Sequence, residues 1–321
     1  MSPRDLAAGN QSSDNHGGER LREIVIPFAV FTGIWGSTWI VIRGQLGFVP
    51  PQWSVAYRFG IAALAMGAVA LWKGETLRLG RRAVVPAVIL GFAQFCLNYD
   101  AVYLAEQHIT SGVVATVFAL LLIPATLMGW AFLEQRPTKR FLWSSLVAVT
   151  GIVMLFIHEV REHPANGSQD AAGIALTIVG MLGASAANVF QARPKMQRFS
   201  VVALLAWSMA AGAIIDALVA LVLTGPPVFD SRPVYWLGLL YLALAASVLT
   251  FSLYYPVVRK IGQGKAAYSS AIVPIIAMGF STWLEDYRWT PLAVTGALLA
   301  LGGMAAALSR GRSRISSPDA A

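Results

Sequence analysis

Ile24-Val25-Ile26-Pro27-Phe28-Ala29-Val30-Phe31-Thr32-Gly33-Ile34-Trp35-Gly36-Ser37-Thr38-Trp39-Ile40-Val41-Ile42 runs for 19 residues without a charge. A helix that crosses the hydrocarbon core of a bilayer needs about 20 such residues. The run is too long for the core of a signal peptide, and no convincing small-residue cleavage site follows it. It is therefore expected to stay as a spanning helix. Outward from it the same pattern recurs, at about 53–71, 84–105, 110–133, 141–157, 172–192, 201–223, 234–258, 266–284 and 292–308. That makes ten runs, which together take most of the apolar residues of a 321-residue chain that is 56% hydrophobic and only 12% charged. Soluble proteins are about a quarter charged. The composition excludes a disordered chain, a disulfide-stapled secreted domain and an ordinary cytosolic enzyme. Cys96, the one cysteine, can form no internal disulfide. The expected class is an all-α integral membrane protein with the lipid bilayer as its solvent.

The net charge of +8 raises the question of nucleic acid, and the positions of the cations answer it. No helix is basic along one face. Arg and Lys fall in small groups between the apolar runs, as they do where charge fixes membrane orientation. With the N-terminus inside, 19 of the 24 lie in the polar head, the tail and the four loops of one side. The opposite loops hold only Arg43, Arg161, Arg232 and Arg288, and Arg58 lies within a run. This predicts ten helices with both termini cytoplasmic, in a bacterial inner membrane, and no nucleic-acid partner.

The two halves resemble each other. Gly33-Ile34-Trp35-Gly36 in the first run answers to Gly180-Met181-Leu182-Gly183 in the sixth. The fourth and ninth runs carry central prolines, Pro124 and Pro274, and both end on an acidic residue, in Leu133-Glu134-Gln135-Arg136 and Leu284-Glu285-Asp286-Tyr287-Arg288. The last run of each half has a central glycine, Gly151 or Gly303. A five-helix unit has an odd number of crossings, so its second copy enters from the opposite face. The expected organisation is a polar head (1–23), a first repeat (24–157), an outer loop (158–171), a second, inverted repeat (172–309) and a basic tail (310–321). Inverted repeats with interrupted helices are a transporter arrangement, with substrate held near the midplane.

On these residues the chain resembles the drug/metabolite transporter superfamily, in particular chains with two EamA-type repeats. The matching features are Gly33-Ile34-Trp35-Gly36-Ser37-Thr38, Tyr57-Arg58-Phe59, Asn98-Tyr99-Asp100-Ala101-Val102-Tyr103 and the proline helices with their acidic-basic ends. The resemblance covers residues 24–309. It implies export or exchange of small metabolites, often amino acids, without ATP hydrolysis and without a cofactor. One departure is that Pro124 lies some five residues later than the repeat alignment would place it.

The residues themselves point the same way. No Gly-x-x-x-x-Gly-Lys phosphate loop is present, and no histidine neighbours a serine within a run. His158 and His163 flank Glu159 and Glu162 in a solvated outer loop, which argues against a metal site and against an enzyme. Trp35 and Trp39 share a helix face with Thr38 beside them; Gln94 and Asn98 form a polar i, i+4 pair, with Tyr99 and Tyr103 adjacent. Asn188, Gln191 and Tyr268 add polar groups in the second half. Amides do not face lipid, so these eight positions (Trp35, Trp39, Gln94, Asn98, Tyr99, Asn188, Gln191, Tyr268) are the expected substrate contacts, on a surface suited to a neutral or zwitterionic solute. Tyr99 and Tyr103 on one side, and Ser252 and Tyr254 on the other, are the expected gates. Breaks at Pro124 and Pro274 would free carbonyls for an ammonium group. Arg58 and Asp100 lie at similar depth and are expected to pair; Asp216 receives no role. Protons are the candidate coupling ion. A lipophilic-drug exporter or nucleotide-sugar carrier of the same superfamily is the alternative, and a membrane-embedded enzyme is the disfavoured rival.

Overall fold

The computed structural model describes residues 21–78, 80–134, 136–162, 167–196, 198–261 and 269–308. They form helices and no strand. Eight are long and apolar enough to cross a membrane: α1 (Arg22–Gln45), α2 (Pro51–Trp72), α3 (Arg81–Ala105), α4 (Ser111–Leu133), α5 (Lys139–Glu162), α6 (Ser168–Gln191), α7 (Val201–Thr224) and α8 (Pro233–Tyr254). The eighth continues helically to Ile261. Two shorter apolar helices complete the ten, α9 (Ser269–Leu284) and α10 (Pro291–Leu308). Residues 1–20 of the expected head, His163, the basic tail beyond 308 and Tyr268 lie outside the described residues, while residues 21–23 already belong to the first helical stretch.

Prolines open α2, α8 and α10. There the missing N–H costs nothing and the fixed φ suits the first turn. Large apolar side chains such as Leu64, Trp72, Val222 and Leu298 point away from the bundle, as a hydrocarbon solvent requires.

The packing treats the two halves alike. α2 lies along α7 and α5 along α10, each pair joining equivalent helices of the two repeats. The contact of α1 with α9 is matched by that of α6 with α4, and α3 on α6 by α8 on α1. At α5–α10 the backbones nearly touch. A methyl group on Gly303 would lie 2.6 Å from the Ala148 nitrogen, and one on Gly151 would lie 2.9 Å from Ala300 Cα. Small residues permit this approach, and dispersion then rewards it where lipid offers no hydrophobic drive between helices.

Three interruptions shape the interior. α3 is π-helical over Gly91–Leu97 and α8 over Tyr241–Leu249, at equivalent places in the two halves. A π-turn inserts a residue and rotates everything beyond it. α4 passes through a 3-10 turn, Ala119–Leu121, just before Pro124. The matching break expected at Pro274 is absent: α9 runs as one α-helix over Ser269–Leu284 with Pro274 inside it. That proline lies in the second turn, where it removes a single bond near the helix start and the helix carries on.

Candidate functional site

A cavity of about 510 Å³ lies between the repeats. Its walls come from α1, α3, α4, α6, α8 and α9, with Arg58 from α2 and Leu205 from α7. It extends from Ile42, Arg58 and Val102 down to Leu133, Gln191, Ala192 and Ser269, helix ends that adjoin the Lys- and Arg-rich loops. Of the expected substrate contacts, Trp35, Trp39, Gln94, Asn98, Tyr99, Asn188 and Gln191 all line it. Tyr254 and Pro274 line it too, whereas Tyr103, Ser252, Asp100 and Pro124 do not.

The aromatic residues divide between two walls. Trp35 meets Phe31, Phe251 and Tyr254 at ring-centroid distances of 5.2–5.9 Å. Its indole donates to the Ala246 carbonyl at 3.2 Å, inside the π segment of α8. Trp39 packs on Phe118 of α4 at 5.5 Å. Its indole nitrogen has no acceptor, and neither amide oxygen of Gln94 and Asn98 has a donor. Asn98 donates to the Gln94 carbonyl at 3.3 Å. Buried polar groups are normally satisfied, and these three unsatisfied atoms belong to residues that line one cavity.

The end remote from the basic loops is sealed. Tyr103 is fully buried and donates to Gln45 Oε1 at 3.0 Å. Gln45 in turn donates to the Tyr235 carbonyl at 3.2 Å, and the Tyr235 hydroxyl meets Ser54 Oγ at 2.8 Å. This chain ties α1, α2, α3 and α8. Beside it, Glu285 at the end of α9 accepts from the Ser111 N–H at 3.2 Å and from its hydroxyl at 2.5 Å. Glu285 also pairs with Arg43 Nε at 3.5 Å. A carboxylate at a helix N-terminus neutralises free N–H groups and the positive dipole end. Glu106, in the link after α3, is wholly buried beside them. Burial and the neighbouring Glu285 push its carboxyl well above the usual range, against an opposing pull from Arg43 and Arg58.

Arg58 and Asp100 do not pair. The Arg58 guanidinium lies over the rings of Tyr99 (4.4 Å) and Phe59 (5.1 Å). Asp100 instead accepts from the Cys96 thiol at 4.0 Å. With Asp216 of α7 these make the one group of three His, Cys, Asp or Glu among the described residues with ligand atoms that converge, all within 4.8 Å. The π segment explains the difference. It turns Asp100 toward α7, so similar depth on α2 and α3 does not bring the two charges to one face. The sealing network was not foreseen from the sequence, although Gln45 and Glu285 are polar groups at the ends of apolar runs and could have flagged it.

The profile of the EamA-like transporter family matches residues 24–157 and 171–309. An "uncharacterized inner membrane transporter YedA" of Escherichia coli K12 is 26% identical, with 83% of this chain and 86% of that one covered. A "probable amino-acid metabolite efflux pump" of the same organism is 24% identical over 84% and 90% of the two chains. The protein PagO of Salmonella typhimurium is 23% identical over 82% and 84%. A solved crystal structure at 17% identity shares the fold with a TM-score of 0.64, over 88% of this chain and 95% of the other.

Proposed function

This chain belongs to the EamA-like transporter family, and from that premise we propose that it exports or exchanges amino acids or closely similar metabolites by alternating access through the central cavity. It is a multi-pass inner-membrane transporter. The observation that carries the finer reading is the cavity wall, where indole rings flank unsatisfied amide oxygens and an indole N–H. Amide oxygens suit an ammonium group, and the rings suit an apolar side chain. A relative named as a probable amino-acid metabolite efflux pump supports the same substrate class.

In this reading the conformation present is open toward the basic loops and sealed at the other end. Tyr103, as part of the seal, and Tyr99, one turn nearer the basic loops on the cavity wall, serve as the gate of that end. Tyr254, packed on Trp35, and Ser252 serve the other. Substrate leaves when the seal of Gln45, Tyr103 and Tyr235 opens and the facing end closes.

The test is flux. Purified protein in liposomes, loaded in turn with radiolabelled amino acids, is expected to release at least one of them faster than empty vesicles do. Release that accelerates under an imposed pH gradient identifies protons as the coupling ion. Equal leak for every solute rejects the substrate class.

A further inference from the structure

We propose that Arg58 is the cavity's anion anchor and takes a carboxylate of the substrate; the inference rests on the cavity being the transport site. Arg58 is the one cation among the described residues that line it. The residue is 1% exposed, so it neither snorkels to a membrane surface nor meets bulk water. Its Nε and Nη1 have no acceptor, and Nη2 has only Ser247 Oγ at 3.5 Å. Among the described residues, the carboxylates that would explain a purely structural arginine form no ion pair with it. Asp100 turns to Cys96 and Asp216, and the salt bridges among the described residues do not include Glu106 with Arg58.

A guanidinium cannot escape by losing its proton. Buried without a counter-ion, it demands an anion, and Nη2, held only by the 3.5 Å contact to Ser247, forms with either free neighbour a fork that fits an oxyanion bidentately. A single guanidinium in an otherwise aromatic and amide wall matches one negative charge, hence a carboxylate rather than a doubly charged phosphate. The Tyr99 ring lies on the guanidinium and must swing aside to admit it. The unsatisfied Trp39 indole offers another donor. The Gln94 and Asn98 amide oxygens lie along α3 to receive a positive end. A zwitterion would thus span the cavity in one orientation.

The experiment compares acids with their amides: leucine with leucinamide, phenylalanine with phenylalaninamide and threonine with threoninamide, each titrated onto purified full-length protein, with heat stability read as binding. In the wild type at least one carboxylate is expected to bind roughly tenfold to hundredfold better than its amide, the range a charge-assisted pair supplies. Arg58→Gln should bind both alike, Arg58→Lys should keep part of the preference, and Asp100→Asn should keep it all. Equal affinity for acid and amide in the wild type, a preference that survives in Arg58→Gln, or no carboxylate binding at all would each overturn the proposal. The wild-type comparison needs no substitution, so a variant that fails to fold does not blur it. Liposome flux of solutes without a carboxylate would leave the transporter reading standing while removing the anchor.

Discussion

A charge taken out of water must be answered by something, and Glu106 and Arg58 at the sealed end of the cavity are answered differently. Glu106 holds its proton in the folded protein, because burial and Glu285 both disfavour the anion. Its folded pKa is raised, so the unfolded chain releases this proton first as pH rises above about 4.5. From that pH upward folding stability falls, by up to about 1.4 kcal/mol per pH unit. Glu106→Gln is therefore expected to melt higher than wild type near pH 7, with the gap closing as pH approaches 4.5; a gap independent of pH would refute this. Arg58 and Asp100 make no contact, so the losses of thermal stability in Arg58→Ala and Asp100→Ala should add in the double variant. That both residues are buried ionisable groups was legible in the sequence. Their partners were not, because counting residues along a helix gives depth, while the direction of a side chain depends on every turn before it.

The turns that decide direction are the π segments. Gly91-Phe92-Ala93-Gln94-Phe95-Cys96-Leu97 looks like any apolar helix, and nothing in its composition announces the extra residue. The ten helices were legible because length and hydropathy alone define a span. The cavity-facing amides were legible because lipid forbids them elsewhere. Proline was a weaker guide: Pro124 follows a 3-10 turn, while Pro274 sits in an unbroken helix. Glycines that mark the repeat also serve packing, and their close approaches make that quantitative. Gly303→Leu would drive a branched side chain into the backbone of Ala148 and Ser144. It is expected to cost more than about 3 kcal/mol, at the upper end for overpacking, and to abolish the monodisperse detergent-solubilised protein. Gly33→Ala, where a methyl meets nothing within 4 Å, should be tolerated, as size-exclusion profiles of the two variants would show.

At the scale of the molecule, the sequence carried orientation in its cations and symmetry in its repeated motifs. With Cys96 replaced by alanine, a cysteine at 75 should react with an impermeant reagent from the cytoplasm and one at 107 from the opposite side. Reaction of both from one side would defeat the topology. The conformation was not legible, since one set of residues encodes every state a carrier adopts and only one of them is present here. The Glu285 clasp on Ser111 has a consequence here. Both proline helices end beside an acidic residue in the left-handed conformation, Glu134 (φ 58°) in the first half and Asp286 (φ 55°) in the second, and Leu133-Glu134 answers to Leu284-Glu285. Glu134 stands exposed, while Glu285 is engaged. Rocking to the other state should free Glu285 from the start of α4. The clasp is a buckle, fastened only while this end is shut. Paired cysteines at 111 and 285 should cross-link in the state present here, and that bridge should halt flux.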